Sequence, residues 1–195
     1  TLLSLASAVP VLFVVLFVPR LLEKVEKYNA YMFTRIGTIL VSIIIWLVGY
    51  KSVGLLLALI VVKTLFGSVW GIMAVMFIAD CVEYGQYTTG ERNQGIAFAT
   101  KAFTNKIIVA LTGALGMFGL AAYGFVEGEG VVQTAETVQG IWNLYGLGPI
   151  VGAVLSLVIL VVGYKLRDAD VKTMIACNAG EISREEAESR FTRKF

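Results

Sequence analysis

The chain has 195 residues, 57% of them hydrophobic and 15% charged, with a net charge of +2 and a mean hydropathy of +0.80. Soluble domains carry about 25% charged residues, and a chain of this size has too much surface to sit in water with so few, which argues against a soluble enzyme and for an all-α integral membrane fold. There is no histidine, the two cysteines (Cys81 and Cys177) fit no metal or redox spacing, and the charge is too small for a nucleic-acid footprint, so no catalytic residue, cofactor or metal is expected.

Five apolar segments follow in chain order, at about 2–18, 31–50, 53–78, 95–123 and 141–163. Crossing a hydrocarbon core of roughly 30 Å takes about 20 residues at 1.5 Å each. Each segment meets that length or nearly does, so residues 1–165 read as about five transmembrane helices. The first has no basic n-region or cleavage site, and it reads as part of a longer protein rather than as a signal peptide. The short link at Tyr50–Ser52 makes the second and third spans antiparallel neighbours. Residues 166–195 form a polar tail. In it Ser183 as N-cap and Glu186 at the third helical position predict a short helix, and Glu185, Glu186 and Glu188 before Arg190 and Arg193 favour it further.

Lys and Arg in the connections set the orientation. Arg20, Lys24, Lys27 and Arg35 belong to the first connection and Arg92 to the third. Lys165, Arg167, Lys172, Arg184, Arg190, Arg193 and Lys194 belong to the tail. Opposite them stand Lys51 and the loop Gly124–Gly140, which has three glutamates and no basic residue. The chain is thus expected to be a multi-pass protein of the inner (plasma) membrane with a cytoplasmic C-terminus.

Three lysines fall inside the spans. A charge near the bilayer centre is costly and usually faces a watery cavity or a partner. Lys101 lies roughly 9 Å into its span and can snorkel part of the way out, whereas Lys106 lies roughly 16 Å in, near the midplane. Lys63 is also deep, in a helix with few other polar groups (Thr64 and Ser68). These three are the candidates for coupling substrate to cation. Around Lys106, Ala99, Ala102, Ala110 and Gly113 stand at near-helical offsets, and Gly113, Gly116 and Gly119 extend a small-residue face suited to helix packing.

The third connection is dense in groups that form salt bridges and caps. Asp80 and Glu83, three apart, can face one neighbour. Gly85 and Gly90 punctuate a turn, and Arg92 can pair with either acid. Asp80, Glu83 and Arg92, with Arg20 or Arg35 from the first connection, form a candidate cytoplasmic gate. The alternative is that these charges only fix topology and cap helix ends.

The run Ala79-Asp-Cys-Val-Glu-Tyr-Gly-Gln-Tyr-Thr-Thr-Gly-Glu-Arg92, followed by Gly95-Ile-Ala-Phe-Ala99 and by Lys106, resembles the signature of the glycoside–pentoside–hexuronide:cation symporters. These are the melibiose-permease-like branch of the major facilitator superfamily. The resemblance extends through Gly124, and the other spans agree in layout more than in motif. It implies helices eight to twelve of a twelve-helix transporter that imports a sugar or glycoside with sodium or a proton. It also implies that Lys106 faces the central cavity and that the missing N-terminal half carries the cation-binding acids. The sequence departs from commoner members at Glu83, where an aspartate is usual, and at Gln86, where an acid is frequent. Two other readings stand beside this one: a structural or regulatory membrane subunit without transport activity, and a major facilitator transporter of another solute.

Overall fold

The structure, a computed structural model, describes residues 14, 16, 18–20, 22, 24–128 and 130–192. The expected first span at 2–18 lies outside the described residues except for Val14, Leu16 and Val18, which are helical. Six helices follow: α1 (Lys27–Val48), α2 (Val53–Thr89), α3 (Gln94–Ala122), α4 (Ala135–Gly163), α5 (Asp168–Asn178) and α6 (Arg184–Arg190). Among the described residues, α1 to α4 are long and apolar enough to cross a membrane. The fold is all-α and integral to the membrane.

Helix α1 is the hub and packs against both α2 and α4. Its buried residues, Ala30, Tyr31, Thr34, Thr38, Ser42 and Ile45, recur every three or four positions and so share one stripe. The two threonines can sit there because they satisfy themselves along the helix: Thr34 Oγ1 donates to the Tyr31 carbonyl at 2.9 Å, and Thr38 Oγ1 to that of Thr34 at 2.8 Å. At Gly37 a Cβ would run into the Phe66 ring of α2, so the two backbones come close only because that position has no side chain.

Helix α2 differs from expectation. It does not stop near Ile78 but runs for 37 residues to Thr89, about 55 Å at 1.5 Å per residue and well beyond a hydrocarbon core of roughly 30 Å. Most of the expected connecting loop is therefore helix. Gly85 is inside it, and only Gly90 makes the turn. At φ 78° Gly90 takes the left-handed conformation that suits glycine, and its N–H donates to the Gln86 carbonyl at 2.8 Å.

Helix α4 also starts early, at Ala135 rather than near Ile141. Thr134 caps it by accepting the Thr137 N–H at 3.1 Å, while Thr137 Oγ1 donates to the Tyr123 carbonyl at 2.8 Å. That second bond ties the start of α4 to the end of α3, where Gly140 lies against the Tyr123 ring. Helix α3 otherwise stands apart, with no buried residue along its 29 positions.

The tail folds back on the bundle. The expected short helix forms as α6, with Ser183 Oγ accepting the Glu186 N–H at 3.1 Å. A second tail helix, α5, was not expected. Its Val171 and Met174 are buried with Tyr87, Leu166 and Ala187, so α5 and α6 cover the protruding end of α2.

Candidate functional site

Two groups of side chains stand out, one at the tail end of the bundle and one in a groove between α2 and α3.

At the tail end, the start of α1 meets the end of α2. Lys27 Nζ lies 2.6 Å from each Asp80 oxygen and 3.5 Å from Asp168 Oδ1, and the Lys27 backbone N–H donates to Asp168 Oδ2 at 3.0 Å. Tyr164, just past α4, donates its hydroxyl to Asp80 Oδ2 at 2.9 Å. Its ring packs edge-on against Phe77, centroids 4.7 Å apart. Burial and, after it, the Asp80 carboxylate push the Tyr164 phenol above its ordinary value, so it remains a donor at neutral pH. Asp80 is thus nearly dry, with its side chain 7% exposed, and receives two contacts from the Lys27 ammonium of α1 and one from the Tyr164 hydroxyl just past α4.

One helical turn further on, Glu83 Oε1 pairs with Arg92 Nη2 at 2.7 Å. Asn178, the last residue of α5, donates its amide to the Glu83 carbonyl at 3.0 Å and to Oε2 at 3.2 Å. Gln86 accepts from Arg92 Nη1 at 2.9 Å, so the uncharged residue noted at this position still engages the arginine. Glu83 thus meets the tail helix α5 directly through Asn178, whereas Asp80 is joined to it only through Lys27, which Asp168 also holds.

The structure divides the five candidate gate residues. Arg92 pairs with Glu83, whereas Asp80 is held by Lys27. Arg35 sits farther into the bundle, its guanidinium 4.3 Å from the Trp70 ring centroid and 5.2 Å from that of Tyr31. Its buried Nε has no hydrogen-bond partner among the described residues. Arg20 is exposed.

The three lysines go to three places. Lys63 lies over the Tyr145 ring of α4, 5.2 Å from its centroid. Lys101 is half-buried and lines the groove between α2 and α3. Lys106 is exposed, on the open side of α3. Among the described residues, no carboxylate lies within ion-pair distance of any of them. Of the packing glycines, Gly119 meets Leu144 of α4, while Gly113 and Gly116 have nothing within 4 Å among the described residues.

The groove is a cavity of about 470 Å³, within the range of small-molecule sites. Trp70 and Phe77 of α2 form one wall, and Thr100, Lys101, Thr104 and Asn105 bring polar groups from α3. Sequence reasoning singled out Lys101 alone. The stripe was nonetheless visible, because positions i, i+1, i+4 and i+5 of a mostly apolar helix are polar. Lys27, Tyr164, Asp168 and Asn178 were also missed. Their signal was weaker: Asp168 and Asp170 in the first turn mark the start of α5, but nothing local shows where that helix docks. Among the described residues, no three acids or cysteines cluster so as to hold a metal ion.

A family model described as MFS/sugar transport protein matches residues 1–168. The chain is 28% identical over 159 residues to a glucuronide carrier protein homolog of Escherichia coli (strain K12), covering 81% of this chain and 34% of that protein. It is 30% identical over 168 residues to an isoprimeverose transporter of Lactiplantibacillus pentosus, covering 84% and 34%. It is 31% identical over 124 residues to the inner membrane symporter YicJ of Escherichia coli (strain K12), covering 64% and 26%. The chain therefore spans about a third of the length of the curated relatives it matches. No solved structure matches it.

Proposed function

The chain belongs to the MFS/sugar transport protein family, and from that premise we propose that it forms the C-terminal part of a symporter for a sugar or glycoside. Transport is coupled to sodium or a proton and proceeds by alternating access, with no covalent chemistry. The family is one of transporters, not enzymes, and relatives named as a symporter, a glucuronide carrier homolog and an isoprimeverose transporter support the solute class. The narrower assignment to the glycoside–pentoside–hexuronide:cation symporters rests on the run from Ala79 to Lys106.

The observation that carries the reading is the open side of α3. This helix has the composition of a membrane span yet buries nothing, and it presents Lys106 at a depth where an unpartnered charge is costly. A central aqueous path between α3 and the rest of the transporter, on which the relatives' additional length would be spent, answers both facts. Lys106 then pairs with a carboxylate of that other part in some states and is released in others, which links cation and solute occupancy. The tail end, with most of the basic residues, faces the cytoplasm of a cell whose inner membrane holds the protein. There Glu83, Arg92 and their neighbours help to hold the inner side closed.

The test is solute uptake by the full-length transporter in vesicles under imposed sodium or proton gradients. Gradient-driven accumulation of a sugar or glycoside supports the reading. Binding without any cation-dependent accumulation overturns the symport assignment.

A further inference from the structure

We propose that the end of the bundle opposite the tail holds the headgroup of a phosphatidylethanolamine, with its phosphate on Lys51 and its ammonium against the rings of Trp46, Tyr50 and Trp142.

A pocket of about 350 Å³ lies there, lined by the end of α1, the link to α2 and the start of α4. Its depth follows from the fold. Helix α1 has 22 residues, about 33 Å at 1.5 Å each, which just crosses a hydrocarbon core of roughly 30 Å. The link from Gly49 to Ser52 then turns straight into α2. The link and the pocket beside it therefore sit at the level of the lipid headgroups.

The rings are positioned by the protein itself. Trp46 Nε1 donates to Asn143 Oδ1 at 3.1 Å, and Trp142 Nε1 to the Trp46 carbonyl at 3.2 Å. Trp46 lies against Gly146 of α4, where a Cβ would collide with the indole. Tyr50 packs edge-on to Trp142, centroids 5.4 Å apart. A tryptophan that only anchors a span at the membrane surface keeps its N–H on the wet side. Here both indole N–H groups are engaged within the protein, so the pocket offers ring surface. Beside the rings stands Lys51, exposed and with no carboxylate within ion-pair distance among the described residues. Gln139 donates its amide to Asn143 at 3.3 Å, which leaves its carbonyl oxygen as an acceptor.

These groups select a ligand with two opposite charges. A bare cation is drawn to the ring faces but repelled by Lys51. A bare anion pairs with Lys51 but meets the negative faces of the rings. A phosphodiester joined to an ammonium by an ethylene link satisfies both. Its phosphate takes a charge-assisted hydrogen bond from Lys51, and its ammonium lies on the rings and donates to Gln139. The acceptor at Gln139 favours ethanolamine over choline, whose nitrogen has no N–H to give. The depth of the pocket assigns the headgroup to a membrane lipid rather than to a free phosphomonoester.

The experiment is native mass spectrometry of the full-length transporter with equimolar phosphatidylethanolamine and phosphatidylglycerol of identical acyl chains. The ethanolamine lipid should be retained with at least tenfold preference. Tyr50→Ala should erase that preference by lowering the ethanolamine lipid alone. Lys51→Gln should lower its retention at least tenfold, and Lys51→Arg should restore it. Both residues are exposed in the link, so the melting temperature should not move in any of these variants. Equal retention of the two lipids by the unaltered protein, or an unchanged preference in Tyr50→Ala and Lys51→Gln, overturns the proposal. Displacement of the lipid by O-phosphoethanolamine at matching concentration makes the ligand a soluble one, and the lipid assignment falls. A second readout leaves the lining residues intact. With the other cysteines replaced by serine, a thiol introduced by Ser52→Cys should react with maleimide at least fivefold more slowly in phosphatidylglycerol nanodiscs that contain phosphatidylethanolamine than in those that lack it. Adding Lys51→Gln should remove that shielding. Equal rates in the two membranes also overturn the proposal.

Discussion

Lys27 and Asp80 are separated by 53 positions in sequence, yet Nζ lies 2.6 Å from each carboxylate oxygen, with both side chains mostly withdrawn from water. Removing one member of such a pair costs more than the pair itself is worth, because the survivor is left charged and dry. Lys27→Ala is expected to lower stability by about 3 kcal/mol, at the low end for a buried pair because Tyr164 still donates to Asp80. Replacing both partners, as in Lys27→Met with Asp80→Asn, should recover more than half of that loss. Thermal unfolding of the purified full-length protein checks both variants.

Tyr164→Phe removes the hydroxyl bond to Asp80 and should cost about 1.5 kcal/mol, the lower range for a bond to a charged group. The sign of its pH dependence follows from the phenol's raised value. A group whose folded value lies above its unfolded value of about 10 contributes fully below that pH and loses its contribution as pH rises past it. The difference between the unaltered protein and Tyr164→Phe should stay constant from about pH 6 to about pH 9 and shrink only above about pH 10. A difference that changes between pH 6 and 9 contradicts the assignment of this bond.

The Glu83–Arg92 pair is a different case, because the Arg92 side chain is 49% exposed. Such a bridge is worth about 0–1 kcal/mol, so Arg92→Ala should barely change stability. Its expected effect is on conformation. If the pair helps to close the inner side, Arg92→Ala raises labelling of cysteines reached from the cytoplasm, by a factor of about five for 1 kcal/mol. The exchange Glu83→Arg with Arg92→Glu should reverse that rise. The exchange Asp80→Arg with Arg92→Asp should not, since Asp80 belongs to Lys27. No change in accessibility in any of these variants rules against the gate.

Much of the fold was legible from length and apolarity alone, because a bilayer imposes both on every span. What the sequence hid has specific physical causes. The end of α2 looked like a connection because Asp80, Glu83 and Gly85 break its apolar pattern. In the structure Lys27, Tyr164, Arg92 and Asn178 satisfy the two acids, all of them from other elements, and the helix goes on to Gly90. Helix α5 was missed because its composition is nearly neutral in hydropathy and its buried face holds the charged Asp170 beside the apolar Val171 and Met174. The start of α4 was misplaced by six residues because Thr134 and Thr137 act through a bond to Tyr123 that local pattern cannot show. At the candidate site, the residue types were readable but not the pairing. Arg92 could have met either acid, and only the packing of α1 against α2 assigns Asp80 to Lys27.

Lys106→Ala tests the coupling role. It is exposed in this chain and carries no ion pair among the described residues, so its loss should leave the fold of the chain within about 0.5 kcal/mol. In the full-length transporter, the same substitution should uncouple accumulation from the cation gradient while facilitated exchange of solute persists. Unchanged binding together with unchanged coupled uptake removes Lys106 from the mechanism.

The glycines of α3 and α4 separate packing that exists within this chain from packing that needs the rest of the transporter. At Gly140 a Cβ would collide with the Tyr123 ring, and at Gly119 it would press on the branched end of Leu144. Gly140→Ala should therefore destabilise by about 1–3 kcal/mol, the usual cost of overpacking, because the Cβ would meet a stiff aromatic ring whose backbone is tied to Thr137 at the α3–α4 junction. Gly119→Ala should cost less, since the Leu144 methyl groups can rotate aside. Among the described residues Gly113 and Gly116 meet nothing within 4 Å, so none of those residues resists a larger side chain there. Gly113→Leu thus has two distinguishable outcomes in the full-length protein. If α3 turns this face to another helix bundle that must approach and withdraw during transport, the leucine will block close approach and uptake will fall at least tenfold while the protein still inserts and folds. If the face meets only lipid, uptake and melting temperature will both stay as they were, and the small-residue stripe will have no part in the transport cycle.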